Sequence, residues 1–166
     1  INNLKVFLNC KDEEILNRVD ELNINIKEKN DLIKKLMKKN IKYKLSSSFK
    51  DHLKINNGIR IFTYSINEDF NPQLLADNIR EQLQSNGIAL ISINSNITKL
   101  LCVSTKDISK NLQAGIIIKK IATELGLKGG GSKFFGLLSF NDNSIIEKAM
   151  NIGLDIINKE CGCYDS

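Results

Sequence analysis

The sequence is poor in aromatic side chains: Phe and Tyr make up 6% of its 166 residues, and tryptophan is absent. With no RNP-like aromatic pair, any RNA partner is expected to be bound by shape and backbone rather than through unstacked bases. One proline (Pro72) and one histidine (His52) are present, and four cysteines stand scattered at Cys10, Cys102, Cys161 and Cys163. That is too sparse for a disulfide framework. Cys161-Gly162-Cys163 lacks further ligands at metal-binding spacing, with His52 far off. The thiols therefore read as structural, no metal is expected, and a cytoplasmic location fits best. No run of about 18 apolar residues exists to cross a membrane, and no signal peptide is visible. The chain begins with Ile1 rather than Met, which suggests a fragment of a longer polypeptide.

What is present is enough for a core: 42% of the residues are apolar, so a folded domain with a helical extension is expected. The net charge is +5, unevenly spread. From Lys27 to Lys54 ten lysines face Glu28, Asp31 and Asp51, a local balance of +7. From Asn57 to Glu160 there are 11 Lys and Arg against 10 Asp and Glu. The shift places a junction near Asn56-Asn57-Gly58. It divides a lysine-rich helical arm (1–56) from a globular domain (57–160) and a loose tail (161–166).

Between Asp12 and about Lys44 neither proline nor glycine occurs, and Ile15, Val19, Leu22, Ile26, Ile33, Leu36 and Tyr43 recur on a heptad seam. Lys29 and Asn40 interrupt it. The segment "SSSFKDHLKINNG" reads as a connector or a frayed second helix. Strands are expected at "GIRIFTYSI", "GIALISIN" and "KLLCVSTK", the last two joined as a hairpin through "SNIT". A helix follows Asn71-Pro72, with Asn71 as cap and Leu75, Ile79 and Leu83 buried. "LQAGIIIKKIATEL" is an apolar helix that Gly126 closes in left-handed conformation. "FFGLLSF" is taken as extended. Ser144 and Glu147 form a capping box for a last helix reaching about Lys159, with Ile145, Ile146, Ala149, Met150, Ile156 and Ile157 along one face. The order predicts an α/β (α+β) fold: a small mixed sheet packed with helices, behind a long coiled-coil-like arm.

The stretch "ELGLKGGGSKFFG" poses the functional question. A phosphate-binding P-loop requires G-x-x-x-x-G-K-[ST] after a strand. Gly126 and Gly131 have that separation, but Ser132-Lys133 are reversed and the run follows a helix. Gly129, Gly130 and Gly131 do not meet G-x-G-x-x-G either. A plain linker is the alternative, but the run lies between an apolar helix and Phe134-Phe135, inside the domain. Consecutive glycines there let backbone amides approach a ligand or another backbone, and Lys128 and Lys133 add charge. Phe134 and Phe135 read as core, or as a dimer patch, rather than as stacking platforms.

"ISKNLQAGIIIKKIATELGLKGGGSKFFGLLSF" resembles the C-terminal DHH-associated domain of alanyl-tRNA synthetases. In that family a "K-x-L-x-A-G" stretch and a helix lead into "GGKGGGRPDMAQ". Lys110, Leu112, Ala114, Gly115, Lys128 and Gly129 to Gly131 match as they stand. The departures are Ser132 in place of the family's arginine and Lys133-Phe134-Phe135-Gly136-Leu137 in place of "PDMAQ". DHH phosphoesterases carry a related domain whose glycines precede a histidine, which is lacking here. A phosphoesterase-type substrate-binding domain stands only as an alternative.

The resemblance implies a tRNA-binding and self-associating appendage that helps hold tRNA(Ala) for aminoacylation and editing by other domains. No catalytic residue and no cofactor is then expected in this fragment, because ATP, magnesium and zinc would belong to those other domains. The tRNA contacts would come from Lys110, Lys128, Gly129, Gly130, Gly131, Ser132 and Lys133, and from Lys34, Lys35, Lys38 and Lys42 on the arm. Salt-sensitive phosphate attraction by such lysines fits this reading. A purely structural dimerisation module, using the heptad seam, stands beside it. The expected partners are thus tRNA(Ala), a second copy of the chain and the rest of the parent synthetase.

Overall fold

The computed structural model describes residues 8–9, 11 and 14–162. The chain divides into two compact units between Asn40 and Ile41. The boundary falls inside the first helix, α1 (Ile15–Ser48), well before the change in charge composition near Asn56. Asp12 and Cys10, named in the sequence reading, lie outside the described residues.

In the first unit, α1 runs without helix breakers, and every residue from Leu16 to Asn40 is exposed. The heptad seam is thus open: Ile26 is 56%, Ile33 49% and Leu36 56% exposed. The seam's expected end, Tyr43, lies in the second unit and does not pack. It is 81% exposed, whereas Ile41, Leu45 and Phe49, four residues apart, are buried. Helical i, i+4 spacing puts these three on one face, away from Tyr43. The helix ends in a serine triplet, where the Ser46 and Ser47 hydroxyls donate back to the Tyr43 and Lys44 carbonyls at 3.1 Å. Such back-bonding competes with the helical ladder.

The second unit is a six-stranded mixed sheet in the order β1-β2-β3-β4-β6-β5. β1 (Leu53–Asn56) occupies the segment expected to be a connector or frayed helix. It pairs antiparallel with β2 (Ile59–Ile66) through a two-residue turn. Asn57 (φ 46°) and Gly58 (φ 74°) are both left-handed there, as a tight hairpin turn demands. A crossover helix, α2 (Pro72–Leu83), then sets β3 (Gly87–Ile93) parallel to β2. Asn71 caps α2 as expected, its side chain accepting from the amides of Gln73 and Leu74. β4 (Thr98–Ser104) returns antiparallel, and α3 (Ala114–Glu124) leads to β5 (Gly130–Gly131) and β6 (Phe135–Phe140) at the far edge. Gly126 closes the turn after α3 at φ 68°.

The last helix, α4 (Ile146–Gly162), starts later than the proposed capping box. Asp142, not Ser144, supplies the cap: its carboxylate accepts from the Ser144 amide at 2.8 Å and opens a 3-10 turn (Asn143–Ile145). At the other end, Cys161 is a buried helical residue rather than part of a loose tail. The four residues after Gly162 lie outside the described ones.

Two apolar layers sandwich the sheet. On one face Ile88, Leu90, Leu100 and Cys102 meet Ile117, Ile118 and Ile121 of α3 and Ala149 and Ile157 of α4. On the other Phe62, Ile91, Leu101 and Val103 meet Leu75, Ile79 and Leu83 of α2, with Ile41, Leu45 and Phe49. Both faces of β3 are covered, and all seven of its residues are buried. That burial explains the near-continuous apolar run "IALISI".

Candidate nucleic-acid surface

The glycine run is held by backbone meeting backbone. Gly130 lies opposite Leu137 and Gly131 opposite Gly136, and the Ser132 amide donates to the Phe135 carbonyl at 2.7 Å. The chain then folds over the start of α3. The Ala114 and Gly115 amides donate to the Lys133 and Ser132 carbonyls at 3.0 and 2.9 Å. Amides of a helix's first turn have no partner within the helix, so the loop supplies the missing acceptors. This capping replaces a side-chain cap, for Gln113 at the N-cap makes no such bond.

Glycine is needed where these backbones cross. A Cβ on Gly115 would come within 2.6 Å of the Gly131 carbonyl group, and one on Gly136 within 2.6 Å of the Ala114 oxygen. At Gly131 it would overlap the Phe135 carbonyl oxygen and sit 2.7 Å from the Gly136 Cα. Gly130, by contrast, has open space around it. Of the two uses expected for these glycines, the structure displays the close approach to another backbone. The N-terminal pole of α3 is also already occupied by carbonyl oxygens.

The charged side chains around this turn remain outside. Lys128, Gly131, Ser132 and Lys133 are exposed, and Gly129 and Gly130 are half-buried. Lys110 is exposed in the turn before α3. Lys34, Lys35 and Lys38 are exposed on α1 in the first unit, and Lys42 is exposed in the second. Lys34 and Lys38, both in the first unit, follow i, i+4 spacing, which places them on one helical stripe. Among the described residues none of these seven lysines has a carboxylate oxygen within 4.0 Å; ion pairs instead engage Lys44 with Glu68, Lys99 with Asp69 and Lys120 with Glu160.

A cleft of about 290 Å³ adjoins the loop, lined by Gln73 and Arg80 of α2, Lys106, and Ser132, Phe134 and Phe135. Sequence reading missed Gln73, Arg80 and Lys106. The two α2 residues are seven positions apart, hence on one helical face, but nothing local to them signals that the chain returns beside them near residue 134. The Arg80 guanidinium donates to Asp77 at 2.8 Å, and its buried Nε has no hydrogen-bond partner among the described residues.

Among the described residues, His52, Cys102, Cys161 and Asp107 make structural contacts. His52 accepts no such role at the loop: its Nδ1 lies 2.9 Å from the Ser48 carbonyl at the end of α1, and its ring stands edge-on to Tyr64. Burial pushes the Cys102 thiol up to about 12, far from thiolate chemistry. Burial, with the Glu160 charge nearby, also raises Cys161. For Asp107, burial pulls the carboxyl upward, but the Thr105 hydroxyl and the Asn86, Asp107 and Ile108 amides outweigh it and hold it below the usual range. Its carboxylate thereby pins the Asn86 amide at 2.6 Å.

No protein-family model matches the chain. An alanine–tRNA ligase of Oceanobacillus iheyensis is 28% identical over 146 residues, 86% of this chain and 16% of that protein. One from Clostridioides difficile is 26% identical over 166 residues, 96% of this chain and 18% of that protein. The C-Ala domain of Aquifex aeolicus alanyl-tRNA synthetase shares the fold with a TM-score of 0.50, at 14% identity. That likeness covers 66% of this chain and 96% of the domain. The chain resembles alanine–tRNA ligase in sequence and the ligase's C-Ala domain in fold. It spans under a fifth of the length of the alanine–tRNA ligases it matches. Its likeness is to a C-terminal part of the ligase and not to the catalytic domain.

Proposed function

We propose that this chain is the tRNA-binding appendage of an alanine–tRNA ligase, holding tRNA(Ala) while other domains of the same enzyme aminoacylate and edit it. The observation that carries this reading is the cationic turn: Lys128 and Lys133 are exposed on a segment whose backbone is fixed against α3 and β6. A fixed backbone places the charges with little ordering cost on binding. Phosphate attraction then comes from lysine side chains, with Lys110 and Lys42 contributing in the second unit and Lys34, Lys35 and Lys38 separately in the first. ATP, magnesium and zinc belong to the catalytic and editing parts of the ligase in this reading, and the site of action is the cytoplasm. Among the described residues no helix is long and apolar enough to cross a membrane.

Filter binding of tRNA(Ala) and of a non-cognate tRNA over a salt series tests the proposal. Affinity is expected to fall steeply as salt rises, since each phosphate contact releases counterions. Lys128→Glu with Lys133→Glu should weaken binding with the fold intact. Salt-independent binding, or none at low ionic strength, would remove the reading.

A second reading is favoured by the bare seam on α1. Val19, Ile26 and Ile33 stand at one core position of the heptad and Leu22 and Leu36 at the other, a pattern suited to pairing with a second helix. Self-association through this seam is compatible with tRNA binding.

A further inference from the structure

We propose that the cleft between α2 and the Ser132–Phe135 segment is a single-nucleotide site. It would take an unpaired base of a folded RNA against the Phe134 ring, with the adjoining phosphate on Arg80 and Lys106. The inference rests on the RNA-binding reading above and adds to it a site for one base.

Phe134 is the first observation. It is half-buried yet belongs to neither apolar layer, whereas Phe135 beside it packs against the α2-side core. A phenyl ring left outside the core thus lines the cleft beside two cationic side chains. Its backbone is held from both sides: the Phe134 amide donates to the Ser132 hydroxyl at 3.4 Å, and its carbonyl accepts from the Ser104 amide at 3.1 Å. The ring is therefore presented by a fixed strand entrance, not by a free loop. A flat ring so placed suits base stacking, which tolerates any base.

The charges are the second. Arg80 and Lys106 reach the same cleft from different elements. Asp77 engages one guanidinium nitrogen and offsets part of the Arg80 charge, and the side chain stays partly exposed where it lines the cleft. A phosphate oxygen is the acceptor a guanidinium fork matches best. Lys106 is exposed, and among the described residues no carboxylate oxygen lies within 4.0 Å of it. At about 290 Å³ the cleft sits at the lower end of ligand-site volumes, about 300 to 1,000 Å³. That matches one nucleotide unit rather than a larger ligand.

The experiment compares the wild-type chain with Phe134→Leu, Phe134→Tyr and Lys106→Gln in filter binding to tRNA(Ala) and to a fully paired RNA duplex, with circular dichroism confirming each fold. Phe134→Leu should weaken tRNA binding about 5- to 100-fold, leave its salt dependence unchanged, and leave duplex binding unaffected. Phe134→Tyr should restore most of the loss. Lys106→Gln should reduce the salt slope by about 1. A folded Phe134→Leu protein that binds tRNA at full strength, or loses tRNA and duplex equally, overturns the proposal. If wild type binds in a salt-sensitive way but only the loop or α1 lysine variants weaken it, this inference falls and the RNA-binding reading stands. If wild type does not bind at all, both fall.

Discussion

Adjacent glycines in the loop meet opposite demands. Gly131 has the Phe135 carbonyl where a Cβ would go, and Gly130 has nothing within 4 Å. Gly131→Ala is expected to destabilise the fold by about 1–3 kcal/mol, because backbone cannot move aside as a side chain can. Gly130→Ala should be close to neutral, or slightly stabilising through the unfolded chain. Urea denaturation of the two variants checks this, and equal losses would mean that the backbone crossing is not what requires glycine. The three glycines were visible in the sequence as a group. Which of them is indispensable was not, because the answer lies in how the chain folds back so that Phe135 and Gly136 lie against Gly131.

Among the elements, β2, β3, β4, β6, α2 and α3 were legible because their apolar residues run nearly continuously, alternate, or repeat at helical spacing, between clear breakers. β1 was missed, although Asn57-Gly58 is the strongest short hairpin signal a sequence offers. The four residues before it, Leu53–Asn56, alternate too briefly to stand out beside a lysine-rich helix. The end of α1 was misread for a different reason. Extending the heptad seam put Tyr43 in phase, but the second unit takes its core contacts from Ile41, Leu45 and Phe49. The expected consequence is asymmetric: Leu45→Ala should cost about 2–5 kcal/mol, and Tyr43→Ala should change stability little. Thermal melts of the two variants measure it, and a large loss from Tyr43→Ala would contradict the assignment.

For the molecule as a whole, the candidate surface was legible only as far as it is contiguous in sequence. Lys128 to Lys133 could be picked out because they adjoin one another. The cleft could not, since Arg80, Lys106 and Phe134 meet only after α2 and β6 are laid on the sheet. Self-association belongs to this scale as well. If the α1 seam pairs two chains, light scattering should give a concentration-dependent dimer, and Ile26→Glu with Ile33→Glu should leave a monomer with the second unit still folded. A concentration-independent monomer for wild type would rule the pairing out.

The way the turn is mounted on α3 has one more outcome. Ser132 and Lys133 grip the helix through their carbonyl oxygens, atoms that every amino acid carries, and keep their own side chains out in solvent. Identity at Lys133 is thereby uncoupled from the architecture beneath, whereas the Ser132 hydroxyl also accepts from the Phe134 amide. At Lys133 the side chain can be exchanged with the mount unaltered, so the exterior charge can be retuned on an unchanged frame.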